Sequence, residues 1–164
     1  MNRARKLLVF GGIGLAAVGM LYGLHYSVFV EHQTLDQIGG SLATAFVSAA
    51  GRHMPEAHDA VNTYGAVKYD YVRQVDVHSH WIGLAMLMIV LGIVFDSVAF
   101  GERTRLWIAL ALLVGSAVFP LGVILQTATH GGAFSSALAV VGSVLVIAAL
   151  GAVAVGFIRQ RATV

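Results

Sequence analysis

The sequence predicts an all-α integral membrane protein, a four-helix bundle with a helical extracytoplasmic segment between its first and second spans. Of the 164 residues, 58% are hydrophobic and 11% are charged, whereas soluble domains average about 25% charged residues. Four apolar runs are each long enough for the roughly 20 residues that a membrane-crossing helix needs. The basic residues cluster at alternate connections between these runs, as in multi-pass membrane proteins.

The spans are predicted at residues 7–30, 78–100, 106–129 and 134–158, with an outer segment at 31–77. Because the chain has two prolines and no low-complexity linker, a single membrane domain is expected over residues 1–164. A basic stretch that resembles the start of a signal peptide precedes the first span. The apolar run after it exceeds the ~7–15 residues of a signal core, and no clear Ala-x-Ala site follows, so we expect an uncleaved first helix.

The outer segment is too long for a simple turn. An amphipathic helix is predicted over residues 36–52, because apolar residues recur there at helical spacing: Leu35, Ile38, Leu42, Phe46 and Val47. Pro55 interrupts this helix, and a second short helix is predicted at 64–75. The segment either packs as a lid over the outer mouth of the bundle or lies flat at the membrane surface.

The remaining spans carry signals of bending and close packing. Pro120 in the third span removes a backbone donor, which should bend the helix. The polar stretch from Gln126 to His130 either lines a cavity or is an ordinary helix end before the Gly131-Gly132 pair. Small residues at four-residue spacing predict close helix packing in the first and fourth spans: Gly19 and Gly23, and Ala148, Ala152 and Gly156.

The distribution of basic residues predicts the orientation. If the spans alternate, seven of the ten basic residues fall on one side, which should be cytoplasmic: Arg3, Arg5, Lys6, Arg103, Arg105, Arg159 and Arg161. We therefore predict a multi-pass protein of the (inner) cell membrane, surrounded by lipid, with both termini in the cytoplasm. The net charge is only +2 and the basic residues are scattered, so no nucleic-acid partner is expected.

Four histidines are predicted at one depth, at the outer mouth of the bundle. His25 lies at the end of the first span, His78 and His80 open the second, and His130 closes the third. Imidazoles in such places hold a metal, a haem or a proton path, or are plain interfacial residues. His78 and His80 are two residues apart, a rotation of about 200° on a helix, so they should face opposite ways.

The residue types restrict the cofactor. The chain has no cysteine, which excludes thiolate sites and disulfides. Few carboxylates lie at the depth of the histidines, so the oxygen ligands that Ca²⁺ or Mg²⁺ would need are scarce there. Copper or zinc needs three or four converging ligands, whereas haem b needs one or two imidazoles and an apolar slot. A copper or zinc site would require the outer segment to draw together His25, one of the His78 and His80 pair, and His130. Haem b needs fewer ligands and is the expected cofactor.

The span layout resembles that of the styrene oxide isomerases over most of the chain. The His78-Ser79 pair stands at the predicted start of the second span, and the charged loop Gly101-Glu102-Arg103-Thr104-Arg105 follows about one span later. The resemblance implies a small four-helix membrane protein in which the histidine ligates haem b at a subunit interface of a trimer. It further implies that ferric iron acts as a Lewis acid and converts an aryl epoxide to an aldehyde.

The resemblance makes His78 the principal haem and metal ligand. His130, His80 and His25 are further candidates because of their predicted depth, and His130 is a departure from the family. His130 is the candidate for a second axial ligand. The family's asparagine on the second span and tyrosine on the third are replaced by Leu84 and Val123. Three tyrosines of the outer segment are therefore the candidate catalytic phenols: Tyr64, Tyr69 and Tyr71.

Two classes of function follow. The first is a haem b isomerase that acts on a small apolar epoxide from the bilayer. The second is a non-catalytic b-type haem or metal protein, which would be an electron carrier, a sensor or an accessory subunit of a membrane complex. A purely structural four-helix membrane protein is a third alternative. A homo-oligomer is expected, and the resemblance implies a trimer.

Overall fold

The computed structural model describes residues 2–129 and 131–161, and these residues are almost entirely helical. A short 3-10 helix, Phe95–Ser97, follows the third α-helix, and no β-strand occurs in the described part. Four helices are long and apolar enough to cross a membrane, which confirms the all-α prediction. The α-helices are α1 Arg3–Phe29, α2 Glu31–Ala50, α3 Met54–Val94, α4 Glu102–Ala128 and α5 Ala133–Arg161.

The second span is part of a much longer helix. α3 runs without interruption from Met54 to Val94, so the predicted separate helix at 64–75 and the predicted helix start at His78 are wrong. Pro55 lies in the first turn of α3, where its missing N–H costs no helical hydrogen bond. The change from polar to apolar side chains near His78 marks a change in hydropathy. It does not end the backbone hydrogen bonding, so this region offers no free helix N-terminus.

The chain forms two compact units, residues 1–20 with 77–164, and residues 21–76. In the second unit, α2 packs antiparallel against the N-terminal part of α3. The hydroxyl of Tyr71 donates to a carboxylate oxygen of Glu31 across this pair, at 3.4 Å. The turn between the helices contains Arg52, which has a positive φ of 61°. The predicted amphipathic helix is thus present as α2, and its role as a lid or as a surface helix stays a prediction.

The predicted apolar face of α2 is not the face that packs against α3. Small side chains fill that contact, and the buried ones are alanines: Ala45, Ala57 and Ala60. Leu42 and Phe46 are 40% and 70% exposed. They line an apolar groove of about 330 Å³ together with Met54 and Val61 of α3.

In the first unit, glycines bring helix backbones into contact. A Cβ atom at Gly12 of α1 would lie 2.9 Å from the Ala85 carbonyl oxygen of α3. On α4, a Cβ atom at Gly122 would lie 2.7 Å from the Cα atom of Ala139 on α5. Such contacts allow close van der Waals packing between apolar helices, for which the bilayer supplies little hydrophobic driving force.

The predicted small-residue stripe on the fourth span is only partly correct. Gly156 packs against Phe100, whose ring carbon would lie 2.9 Å from an added Cβ atom. Ala148 is exposed and Ala152 half-buried. The buried face of α5 is rotated from this stripe and combines small with β-branched residues: Ser135, Ala139, Val146, Ala149 and Val153.

The polar end of α4 is closed by hydrogen bonds to the start of α5. Pro120 is buried within α4, which continues to Ala128. The Thr129 hydroxyl donates to the Leu125 carbonyl at 2.7 Å, and its oxygen lies 2.9 Å from the Ser135 hydroxyl. Gly131 has a φ of 85°, a conformation that glycine adopts without strain. These contacts favour the glycine-terminated helix end over a polar cavity wall.

Candidate ligand site at His78

The half-buried His78 lies beside α1. Its Nδ1 atom is 2.9 Å from the backbone carbonyl oxygen of Gly19, and both residues belong to the first unit. A carbonyl oxygen can only accept a hydrogen bond, so Nδ1 carries the proton and donates it. In the neutral imidazole, Nε2 then keeps its lone pair. Metal-ligating histidines usually have this arrangement, in which the second ring nitrogen donates to a carbonyl or carboxylate.

Gly19 makes this contact possible. A Cβ atom at position 19 would lie 2.9 Å from the Cβ of Trp81 and 3.2 Å from Cδ1 of Ile82. Because glycine lacks that atom, α1 approaches α3 closely enough for its carbonyl to accept the His78 proton. The Gly-x-x-x-Gly spacing predicts that Gly19 is a packing residue. It does not predict that Gly19 is the partner of His78, because the pairing of α1 with α3 is a tertiary feature without a local signal.

His80 faces a different helix. Its ring lies edge-on to the Phe119 ring of α4, with the ring centroids 4.8 Å apart and the planes at 86°. The two histidines therefore contact different helices, His78 with α1 and His80 with α4. This outcome confirms the divergence that their spacing predicts.

The position of His78 and His80 at the outer mouth stays a prediction, and the structure adds the register of His80 against α4. His80 contacts Phe119, which precedes the last residue of α4, Ala128, by nine residues. At 1.5 Å per residue, this contact is about 13 Å along the helix from its end. His78 lies two residues before His80, where the polar side chains of α3 give way to apolar ones. An ionisable residue at the start of an apolar span is a candidate functional residue, because a charged side chain is costly to bury in lipid.

The first unit contains neither of the other predicted histidines among its described residues. His25 belongs to the second unit, where its side chain is exposed and its ring centroid lies 5.6 Å from that of Phe29. His130 lies outside the described residues. Among residues 2–129 and 131–161, no three histidine, aspartate or glutamate side chains are placed to hold a metal ion together.

The candidate phenols are held within the second unit. The Tyr64 hydroxyl accepts from the Lys68 Nζ at 3.1 Å. The Tyr71 hydroxyl donates to Glu31, and the guanidinium of Arg73 lies 5.1 Å from the centre of the Tyr69 ring.

At the two positions where the family has polar side chains, this chain has apolar ones in helical positions. Leu84 is half-buried on α3, and Val123 of α4 is 4% exposed. Comparisons with protein-family models, with curated proteins and with solved structures find no significant match. The assignment of a role to His78 therefore depends on the geometry of the chain itself and on the resemblance of its layout.

Proposed function

We propose that this chain is an integral membrane haem b protein with His78 as the principal axial ligand. The observation that carries the proposal is the 2.9 Å hydrogen bond from Nδ1 of His78 to the Gly19 carbonyl. It fixes the tautomer and leaves Nε2 to bind iron. It also makes the imidazole a stronger electron donor, because a hydrogen-bonded N–H raises ligand basicity.

The donor set suits haem better than a bare metal ion. Structural and catalytic zinc sites use three or four protein ligands, and no such group is present among the described residues. Haem iron needs one or two axial protein ligands, because the porphyrin supplies the other four. The side chains of Trp81 and Ile82, which lie beside Gly19, are apolar like the face of a porphyrin.

We propose that the protein isomerises a small apolar epoxide to an aldehyde. When bound, ferric haem supplies a Lewis acid for the epoxide oxygen. The residues of the chain have simpler tasks. His78 would hold the cofactor through Nε2. A phenol from Tyr64, Tyr69 or Tyr71 would have to exchange its present contact for the substrate.

The second candidate is a b-type haem protein without catalytic activity, such as an electron carrier, a sensor or an accessory subunit. One observation favours it, namely the apolar Leu84 and the buried Val123 at the positions where the family has polar groups. His130 would then be the second axial ligand, and a six-coordinate iron suits electron transfer better than Lewis-acid chemistry.

We also propose a homo-oligomer, with a trimer as the expected state. His80, Ser79 and Gly83 are all exposed on the single chain, and an added Cβ atom at Gly83 would meet nothing within 4 Å. A second copy that covers this face would shield His80 from lipid, where a polar side chain is costly. Close approach of helices at small residues supports the same arrangement.

The proposed orientation places both termini in the cytoplasm and residues 31–77 outside. It rests on the basic clusters at alternate connections. Single cysteines introduced as Arg3→Cys and Glu56→Cys should react with a membrane-impermeant thiol reagent from opposite sides of intact cells. Because the natural chain has no cysteine, no background labelling is expected. Labelling of both positions from outside would reject this orientation.

The His78→Ala variant tests the haem assignment. Purified protein should show a Soret band, and the variant should lose most of its haem while inserting into the membrane normally. His32→Ala is the matched control, because His32 is exposed on α2 in the other unit. Loss of haem in His80→Ala instead of His78→Ala would assign the ligand role to His80. The absence of a Soret band in the wild-type protein, even after reconstitution with haemin, would end the proposal.

A further inference from the structure

One end of the first unit is strongly basic. Its two carboxylates are Asp96 and Glu102. Asp96 is already engaged, since one carboxylate oxygen accepts from the Arg5 guanidinium at 3.2 Å and the other from the Asn2 side chain at 2.6 Å. The basic residues described at this end, with side chains on α1, α4 and α5, are Arg3, Arg5, Lys6, Arg103, Arg105 and Arg159.

Two of these arginines share a groove. Arg3 of α1 and Arg103 of α4 line a space of about 440 Å³, together with Glu102 and Leu106. Among the described residues of this end, the carboxylate that forms an ion pair is Asp96, with Arg5. Glu102 therefore neutralises neither guanidinium by direct contact, although it lowers the net charge of the groove to +1.

We propose that this groove binds the phosphate of an anionic phospholipid. Guanidinium groups bind phosphate oxygens through two parallel hydrogen bonds, which gives a tighter and more directional contact than an ammonium group. Leu106 adjoins the two arginines, so an acyl chain would continue from the phosphate along the apolar surface of α4. Basic pockets between membrane helices bind anionic headgroups on the same principle.

The excess of positive charge at the basic end of the first unit favours an anionic lipid headgroup over a zwitterionic one. A zwitterionic phosphatidylcholine also carries a phosphate, but its ammonium group would be repelled by Arg3 and Arg103. A phosphatidylglycerol headgroup adds no positive charge and keeps the full attraction. Inorganic phosphate has the same oxygen atoms without an acyl chain. Free phosphate is therefore the alternative ligand for this groove.

Lipid retention by the full chain tests the proposal. The protein is delipidated, incubated with equal amounts of phosphatidylglycerol and phosphatidylcholine, and examined by native mass spectrometry. Phosphatidylglycerol should be retained about 10-fold over phosphatidylcholine. The double variant Arg3→Gln/Arg103→Gln should lose this preference, and Arg103→Lys should keep part of it because the charge remains. The matched control, Lys68→Gln/Arg73→Gln, removes the same charge from the second unit and should keep the preference in full.

Three outcomes would overturn the proposal. Equal retention of the two lipids by the wild-type protein would show that the groove does not select anionic headgroups. An equal loss in both double variants would show an effect of total charge alone. If inorganic phosphate at millimolar concentration displaces phosphatidylglycerol and raises the thermal midpoint as much as the lipid does, the groove is a phosphate site and not a lipid site. A conservative variant that folds, Arg103→Lys, keeps the test valid if the double variant is unstable.

Discussion

At the scale of single residues, the proposed ligand role depends on the hydrogen bond between His78 and the Gly19 carbonyl. We predict that Gly19→Ala lowers haem affinity by about 10-fold or more, the usual cost of disturbing the partner of a metal-ligating histidine. The added Cβ atom would lie 2.9 Å from the Cβ of Trp81, which is fixed to the backbone and cannot rotate away. α1 would have to move from α3, and the hydrogen bond would lengthen. Titration of the apoprotein with haemin measures the affinity.

Gly14→Ala is the control for this prediction. Gly14 lies on the same helix, and an added Cβ atom there would meet nothing within 4 Å. Its haem affinity should match that of the wild type. An unchanged haem affinity in Gly19→Ala as well would show that the hydrogen bond from His78 to the Gly19 carbonyl does not contribute to haem binding. The haem proposal would then lose the observation on which it depends.

The directions of His78 and His80 could be predicted from the sequence, but their neighbours could not. The directions follow from the helical repeat alone, since each residue turns the helix by about 100°. The neighbours depend on which residue of an adjacent helix lies opposite. Phe119 of α4 is opposite His80, and no pattern in either segment specifies that register.

At the scale of elements, the existence of the four apolar helices could be predicted and the start of the second could not. Backbone groups in hydrocarbon have no water to bond to, so a long apolar run must be helical. No such constraint applies at the boundary of the membrane, where water satisfies the backbone of either a helix or a loop. α3 therefore continues from Met54 through the hydropathy change near His78, and its true start depends on the turn at Arg52 and on Pro55.

The contact of α4 with α5 provides a stability prediction. Gly122→Ala places a Cβ atom 2.7 Å from the Cα of Ala139, and two backbones cannot yield as a flexible side chain would. We expect a loss of about 1–3 kcal/mol in the free energy of unfolding, the usual cost of overpacking. Unfolding of the detergent-solubilised protein, followed by circular dichroism, measures it.

Gly151→Ala is the matched substitution on α5. An added Cβ atom at Gly151 would meet nothing within 4 Å, and alanine favours helix by about 0.5–1 kcal/mol over glycine. This variant should therefore be as stable as the wild type or slightly more stable. Equal stabilities of Gly122→Ala and Gly151→Ala would mean that α4 and α5 are not in backbone contact in the solubilised protein.

At the scale of the whole molecule, the reaction separates the two candidate functions. The ferric protein should convert an aryl epoxide to its aldehyde without a reductant or a cosubstrate, because isomerisation changes no net oxidation state. If His130 closes the second axial position, the wild type should be inactive and its haem should cycle reversibly between ferric and ferrous states. Wild type, His130→Ala and the haem-depleted His78→Ala are compared, with haemin in detergent as the background.

The outcomes of this assay discriminate because each candidate needs a different state of the iron. Activity in the wild type that is absent from His78→Ala supports the isomerase, since Lewis-acid chemistry needs one open face. Activity that arises only in His130→Ala means that the haem can act on the epoxide once His130 is removed. In the natural protein, His130 would then block the iron. If both haem-loaded proteins are inactive, the apolar Leu84 and Val123 have removed the groups that the reaction needs. The b-type haem protein then remains as the function that His78 and its Gly19 hydrogen bond support.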